Sequence, residues 1–304
     1  MNASNRFRSS LPFRVGRLSL VVMSIAFLFG ADSFGQAVSK RFDLLPSRAI
    51  YPDAWSALNI YDPDHYCTVG TDANDADILA KGNFRAVYYD FFHTGWPDWA
   101  GMAWEYADHI MTQVNNNFHG NPPPYIILNE LTSSWANNAT YRQWAIQVCY
   151  RLKTQHGRNV VMLSQFPTAA NNAADWQQLA NNCTYIGIEC YLSGQEIKDN
   201  SYSTSWCQSK YQASKNSYTG VGIAASKLML VEHFGHTDSS AGWGRAGLTQ
   251  LSNWQLAIQR RSAGSKNVGF AAFMSYGWGL NDGMNPPASS VTACAQTYGN
   301  VDPF

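Results

Sequence analysis

From Phe84 onward the chain alternates short, near-continuous apolar runs with longer stretches whose apolar residues recur at helical spacing. The runs cover 86–92, 125–130, 160–165, 185–191, 228–232 and 269–276 and are rich in β-branched and aromatic residues. Runs of this kind, without strict polar alternation, predict parallel strands buried on both faces. Between them, 99–114 places Met102, Ala103, Tyr106, Ala107, Ile110, Met111 and Val114 on one helical face. A similar stripe runs through 141–155, and another through Leu248, Leu251, Trp254 and Ile258 in 248–261. Strand-then-helix repeats with short connections predict an α/β fold around a parallel sheet. The alternation fits the later part of a (β/α)8 TIM barrel better than an open sheet, and no Gly-rich phosphate loop follows any strand. Residues 38–83 must then supply two more strands. One is expected at 66–70; the other has no distinct signal.

Composition narrows the class. The 304 residues are 45% hydrophobic and only 14% charged, with 21 basic and 21 acidic side chains. An ordinary soluble protein carries about 25% charged residues, so this surface is built from Asn, Gln, Ser, Thr and aromatics. The apolar fraction excludes disorder. Zero formal charge, with no basic cluster beyond the N-terminal segment, excludes nucleic acid as a partner.

That N-terminal segment reads as a secretion signal peptide over 1–37. Arg6, Arg8, Arg14 and Arg17 precede a short apolar run at 18–30, and Gly35, Gln36 and Ala37 form a small-x-small cleavage site. The run falls short of the roughly 20 residues a membrane span needs. A secreted or periplasmic protein with no membrane association after cleavage is expected, with a retained anchor as the alternative. Cleavage removes four Arg and one Asp, leaving 17 basic against 20 acidic residues in a single barrel domain, 38–304. A monomer is expected.

Six cysteines, none in a CxxC pair, suggest disulfides in an exported chain rather than a zinc site. Cys183 and Cys190 flank a strand whose length of roughly 23 Å forbids a bridge between them. The expected pairing is Cys149 with Cys183, Cys190 with Cys207 and Cys67 with Cys294; several free buried thiols are the alternative.

The candidate chemistry lies where strands end. In a barrel all C-terminal strand ends open on one mouth. Asp90, Asn129 with Glu130, Gln165, Glu189 with Tyr191, and Glu232 with His233 occupy those ends. Buried strands normally exclude Glu, because an unpaired charge there costs several kcal/mol. Any one of these acids is equally well a satisfied structural carboxylate, but three at three strand ends point to function. Two facing carboxyls can divide the labour of general acid and nucleophile, as glycoside cleavage requires.

Asn129-Glu130 at one strand end, three strand units before Glu232 at another, resembles the (β/α)8 retaining glycoside hydrolases of clan A, the cellulase- and mannanase-like enzymes. The likeness spans about residues 84–282 at the level of pattern. Residues 88–93, Tyr-Tyr-Asp-Phe-Phe-His, are similar to the clan's third strand end. Residues 269–278 are similar to its eighth strand with an aromatic sugar platform. The resemblance implies Glu130 as acid/base and Glu232 as nucleophile, with Asn129 on the sugar 2-hydroxyl. The segment Glu232-His233-Phe234-Gly235 is one residue longer than the clan's Glu-Phe-Gly. The clan's arginine near the end of strand two has no counterpart, since Arg85 begins a strand. Glu189 is an additional acid on strand six; it contacts a sugar hydroxyl, holds a cationic amino-sugar or replaces Glu232 as the second catalytic carboxyl. By strand parity Glu189 and Tyr191 share a face, and Cys190 points the other way.

The expected substrate is a polysaccharide or oligosaccharide, β-linked and cut internally. Asp90, His93, Trp135, Gln165, Glu189, Tyr191, His233, Tyr276 and Trp278 would join Asn129 in binding it. Trp96, Trp99, Trp104 and Trp243 also follow strand ends, either as part of a stacking row or as helix packing. No cofactor is implied. His93, His233 and His236 match no zinc spacing, so no metal is implied either. The competing readings are a non-catalytic glycan-binding barrel and a hydrolase that pairs Glu130 with Glu189. No Gly-x-Ser-x-Gly occurs, which disfavours a serine esterase.

Overall fold

A computed structural model describes residues 40–44, 52–57, 65–70, 84–132, 138–164, 172–233, 250–276 and 287–300, all within the unit Val38–Phe304. Eight strands carry the fold: β1 Lys40–Leu44, β2 His65–Gly70, β3 Phe84–Asp90, β4 Tyr125–Leu131, β5 Asn159–Ser164, β6 Tyr185–Glu189, β7 Leu228–His233 and β8 Ala272–Tyr276. Each pairs in parallel with the next, and β8 returns to β1, closing the barrel. This is the expected (β/α)8 architecture. The strand without a signal is β1.

Nine helices are described: α1 Pro52–Ala57, α2 Phe91–Gly95, α3 Ala103–Asn117, α4 Ala139–Thr154, α5 Ala173–Asn182, α6 Gly194–Asp199, α7 Thr204–Gly220, α8 Leu251–Lys266 and α9 Ala288–Gly299. Helix α3 buries Ala103, Tyr106, Ala107, Ile110, Met111 and Val114, the expected stripe without its first member. Met102 is the N-cap residue and is exposed, because the helix begins one position later. Asn138 starts α4 by accepting from the Tyr141 amide at 2.9 Å, which satisfies one of the orphan donors of a helix start. Ser193 and Glu196 form a capping box at α6.

Strand alternation divides the interior into two apolar layers. Phe42, Ala86, Tyr125, Ile127, Val161, Leu163, Met229, Val231, Ala272 and Met274 fill the barrel lumen. The residues between them, including Val87, Ile126, Leu128, Val160, Met162, Ile186, Ile188, Leu228, Leu230 and Phe273, face the helices. The lumen is packed tightly enough that Gly187 is required: a Cβ there would lie 2.5 Å from Leu163 Cδ2 and 3.0 Å from Val231 Cγ2. Trp96 and Trp99 belong to the helix layer. Trp96 packs on Tyr141 and Trp144, and Trp99 on Tyr106 and His109. They are packing residues, whereas Trp104 is half exposed.

The five described cysteines, Cys149, Cys183, Cys190, Cys207 and Cys294, are buried thiols. Neither Cys149–Cys183 nor Cys190–Cys207 is bridged. Cys149 and Cys183 do interact thiol to thiol, and burial with that neighbour holds Cys149 well above its ordinary pKa. Cys190 instead accepts from Ser214 Oγ at 3.1 Å. The Cys67 side chain lies outside the described residues, so the third expected pair does too.

Candidate active site at the barrel mouth

The lumen-facing positions at the C-terminal strand ends gather acids. On β3, Ala86 and Tyr88 pack with the lumen cluster, which gives Asp90 the same parity; it pairs in register with Asn129 of β4. On β4 the alternation is interrupted. Tyr125 and Ile127 face the lumen, Leu128 and Leu131 face the helices, and two residues, Asn129 and Glu130, stand between them. The register against β5 shifts at the same place, between Leu128 and Leu131. An extra residue of this sort re-aims a side chain at a strand end. The Asn129–Glu130 peptide is cis. Both residues are partly exposed.

On β6, Tyr185 packs with the lumen cluster and Gly187 sits against Leu163 and Val231, so Glu189 also points inward. Its carboxyl is 7% exposed. Burial first, and then the charge of Glu130, push its pKa from an ordinary 4.5 up to about 8; a hydrogen bond from Tyr191 works the other way. The Tyr191 hydroxyl donates to Glu189 Oε1 at 3.1 Å. Glu189 Oε2 is buried with no hydrogen-bond partner among the described residues. The charge of Glu130 reaches Tyr141 at the start of α4 as well.

Glu232 stands apart from this group. Met229 and Val231 take the lumen face of β7, and Leu228 and Leu230 take the helix face, so Glu232 falls on the helix face. It is fully buried, 3.6 Å from Arg261 Nε of α8, and its charge is felt by Cys190, Cys207 and Tyr211. A carboxylate in that place is neutralised by a fixed cation behind the barrel wall. Strand count selects Glu232 as the expected nucleophile, whereas strand parity turns its side chain to the helix face, where Arg261 lies beside it. Asp43 and Ser275 lie on the same outer face, with Ser275 Oγ donating to Asp43 Oδ1 and Arg41 pairing with Asp43 at 3.3 Å.

The structure thus brings Asp90, Asn129, Glu130, Glu189 and Tyr191 to one mouth, with Glu232 on the other face of its strand. Gln165, Trp135 and Trp278, and the side chains of His93, His233 and Tyr276, lie outside the described residues. Among the described residues no cluster of His, Cys, Asp and Glu is arranged to hold a metal. Arg261 went unnoticed in the sequence. Its signal was legible, since it continues the apolar stripe three residues after Ile258 and so sits at a core position of α8.

No protein-family model matches the chain, and no curated protein matches it. Its fold, the (β/α)8 barrel, is shared with solved structures of glycoside hydrolases. A GH18 chitinase from Pseudoalteromonas aurantia superposes with a TM-score of 0.52 at 12% identity, over 85% of this chain and 100% of that one. A GH18 chitinase from the chitin utilization locus of Flavobacterium johnsoniae gives a TM-score of 0.51 at 11% identity, over 84% and 94%. At such identities the likeness is one of fold.

Proposed function

We propose that the chain is a glycoside hydrolase acting on a β-linked glycan, with Glu189 as general acid and Glu130 as its charged partner. One observation carries this reading: at the barrel mouth, burial and the charge of Glu130 together push the Glu189 pKa up to about 8, which favours its protonated form at neutral pH. A carboxyl with a pKa near 8 can give a proton to a glycosidic oxygen at pH 7, which an ordinary glutamate cannot. Retention calls for a close-set pair, about 5–5.5 Å between carboxyls. Glu130 then attacks the anomeric carbon and the leaving oxygen takes the Glu189 proton. Glu189, now a carboxylate, draws a proton from the water that releases the sugar. Asn129 and Asp90 border the same space and supply polar contacts to ring hydroxyls. Tyr191 adds an aromatic face beside the acid.

The N-terminal segment 1–37 supports export, and a mature protein beginning at Val38 is the expected product; its intact mass in a secretion-competent host checks this. The function is tested by reducing-sugar release from β-glucans, mannans, chitosan and galactans. Activity on one of these, abolished in both Glu130→Gln and Glu189→Gln, supports the reading. Binding of a glycan with no release by the wild type would make the protein a lectin and overturn it. Anomeric proton NMR of the first product reads the stereochemistry, with retention expected.

A further inference from the structure

The buried pair Glu232 and Arg261 lies behind the turn that carries Tyr191, whose hydroxyl bonds Glu189. Arg261 reaches through the helix layer to the β6–α6 turn. Its Nε donates to the Leu192 carbonyl at 2.9 Å, and its Nη2 donates to the same oxygen. Glu232 Oε2 lies 3.6 Å from the same Nε. Leu192 follows Tyr191, whose hydroxyl donates to Glu189. The turn is held at two further points: the Cys190 amide donates to the Val231 carbonyl at 3.3 Å, and the Ser193 capping box begins α6. Both charges are almost wholly buried. Placing an arginine and a glutamate there costs several kcal/mol of desolvation per ion, and an apolar pair would fill the layer without that cost. A planar fork clamped on one carbonyl fixes direction as well as distance.

We propose that Glu232 and Arg261 are positioning residues for the Glu189 carboxyl: Glu232 orients Arg261, Arg261 clamps the Leu192 carbonyl, and the clamp sets the Tyr191 hydroxyl against Glu189. The proposal deepens the glycosidase reading and takes Glu189 as its acid. Neither residue touches the substrate. Among the described residues, the groups that face Glu189 are Glu130 from β4, Tyr191 from its own turn and Tyr218 from α7. Those that face Arg261 are Glu232 from β7, Cys207 and Tyr211 from α7 and Cys294 from α9. Tyr191 links the two sets, since its hydroxyl donates to Glu189 and the carbonyl of the next residue, Leu192, is held by Arg261. Loosening the clamp should therefore act on Glu189 in the direction of losing that bond, which favours the neutral acid.

The test is a carboxyl ¹³C NMR titration of Glu189, assigned with Glu189→Gln, in full-length mature protein. Tyr191→Phe should raise the Glu189 midpoint by about half to one pH unit, the effect of one lost hydrogen bond to the charged form. Arg261→Lys, which keeps the charge but loses the fork, should shift it the same way, and so should Glu232→Gln. Combined with Tyr191→Phe, Arg261→Lys should add nothing, because both act through one hydroxyl. An unmoved midpoint in Arg261→Lys, or a double variant whose shift is the sum of the singles, overturns the proposal. A purely structural role would lower the unfolding temperature and leave the midpoint alone. The titration needs no turnover, so it separates from the catalytic reading: full activity of Glu189→Gln would remove Glu189 as the acid while leaving the positioning result intact.

Discussion

Glu189 and Glu232 end neighbouring strands, and Glu189 pairs in register with Val231, the residue beside Glu232. Both are buried, yet their surroundings are opposed. Glu189 feels the charge of another acid and accepts from one tyrosine hydroxyl. Glu232 meets a guanidinium in the helix layer. A buried carboxyl beside a like charge keeps its proton; one beside a fixed cation gives it up. The first can serve as an acid and the second can only hold something in place. A single residue of strand parity separates these two roles.

The sharpest way to break the comparison is to neutralise each acid in turn. Glu189→Gln should lower kcat/KM by on the order of 10³-fold, within the range for removing a general acid, while the protein stays folded. Glu232→Gln should retain most of its turnover. Equal losses in reducing-sugar assays would erase the distinction.

Stability should invert the ranking. Glu232→Ala strands a buried arginine and should cost about 3–5 kcal/mol in urea unfolding. Combining Glu232→Leu with Arg261→Met should recover most of that loss, because no charge is left uncompensated. Glu189→Gln should instead stabilise the fold at alkaline pH. A carboxyl whose folded pKa lies near 8, above an ordinary 4.5, contributes fully below the lower value and loses its contribution as pH climbs through the higher one. The gain above pH 8 should be about 5 kcal/mol at most, at about 1.4 kcal/mol per pH unit. Below pH 4 wild type and variant should converge. Thermal unfolding across pH 4–9 reads both ends.

The smallest effect concerns the wall between the two sites. Gly187→Ala should cost about 1–3 kcal/mol by overpacking the lumen against Leu163 and Val231. It should disturb the Glu189 side of the wall more than the Glu232 side, since the added methyl enters the lumen.

Much of the fold was legible because buried parallel strands announce themselves as apolar runs. Strands β3 to β8 all lie within or beside the expected segments. β1 was not, and its composition explains why. In Lys40–Leu44 the lumen receives Phe42, while Arg41 and Asp43 go to a polar network on the outer face. A strand whose polar residues are paired in the fold looks like a loop in the sequence. The mouth was legible for the same reason as the strands, since acids at the ends of apolar runs stand out. Which face each acid takes was harder to read. For Glu189 simple alternation suffices. For Glu130 the interruption at Asn129–Glu130 resets the alternation, and no residue type marks it. For Glu232 alternation from Met229 and Val231 would have given the outer face, and Arg261 on the apolar stripe of α8 supplied the missing partner.

The proposed chemistry depends on the electrostatic coupling of Glu130 and Glu189 at the mouth. A ¹³C carboxyl titration of Glu189 in wild type and in Glu130→Gln tests it without knowledge of the sugar. We expect a midpoint near 8 in the wild type and a clear fall once the neighbouring charge is removed. A Glu189 that titrates at its ordinary value, or that ignores the loss of Glu130, would contradict it.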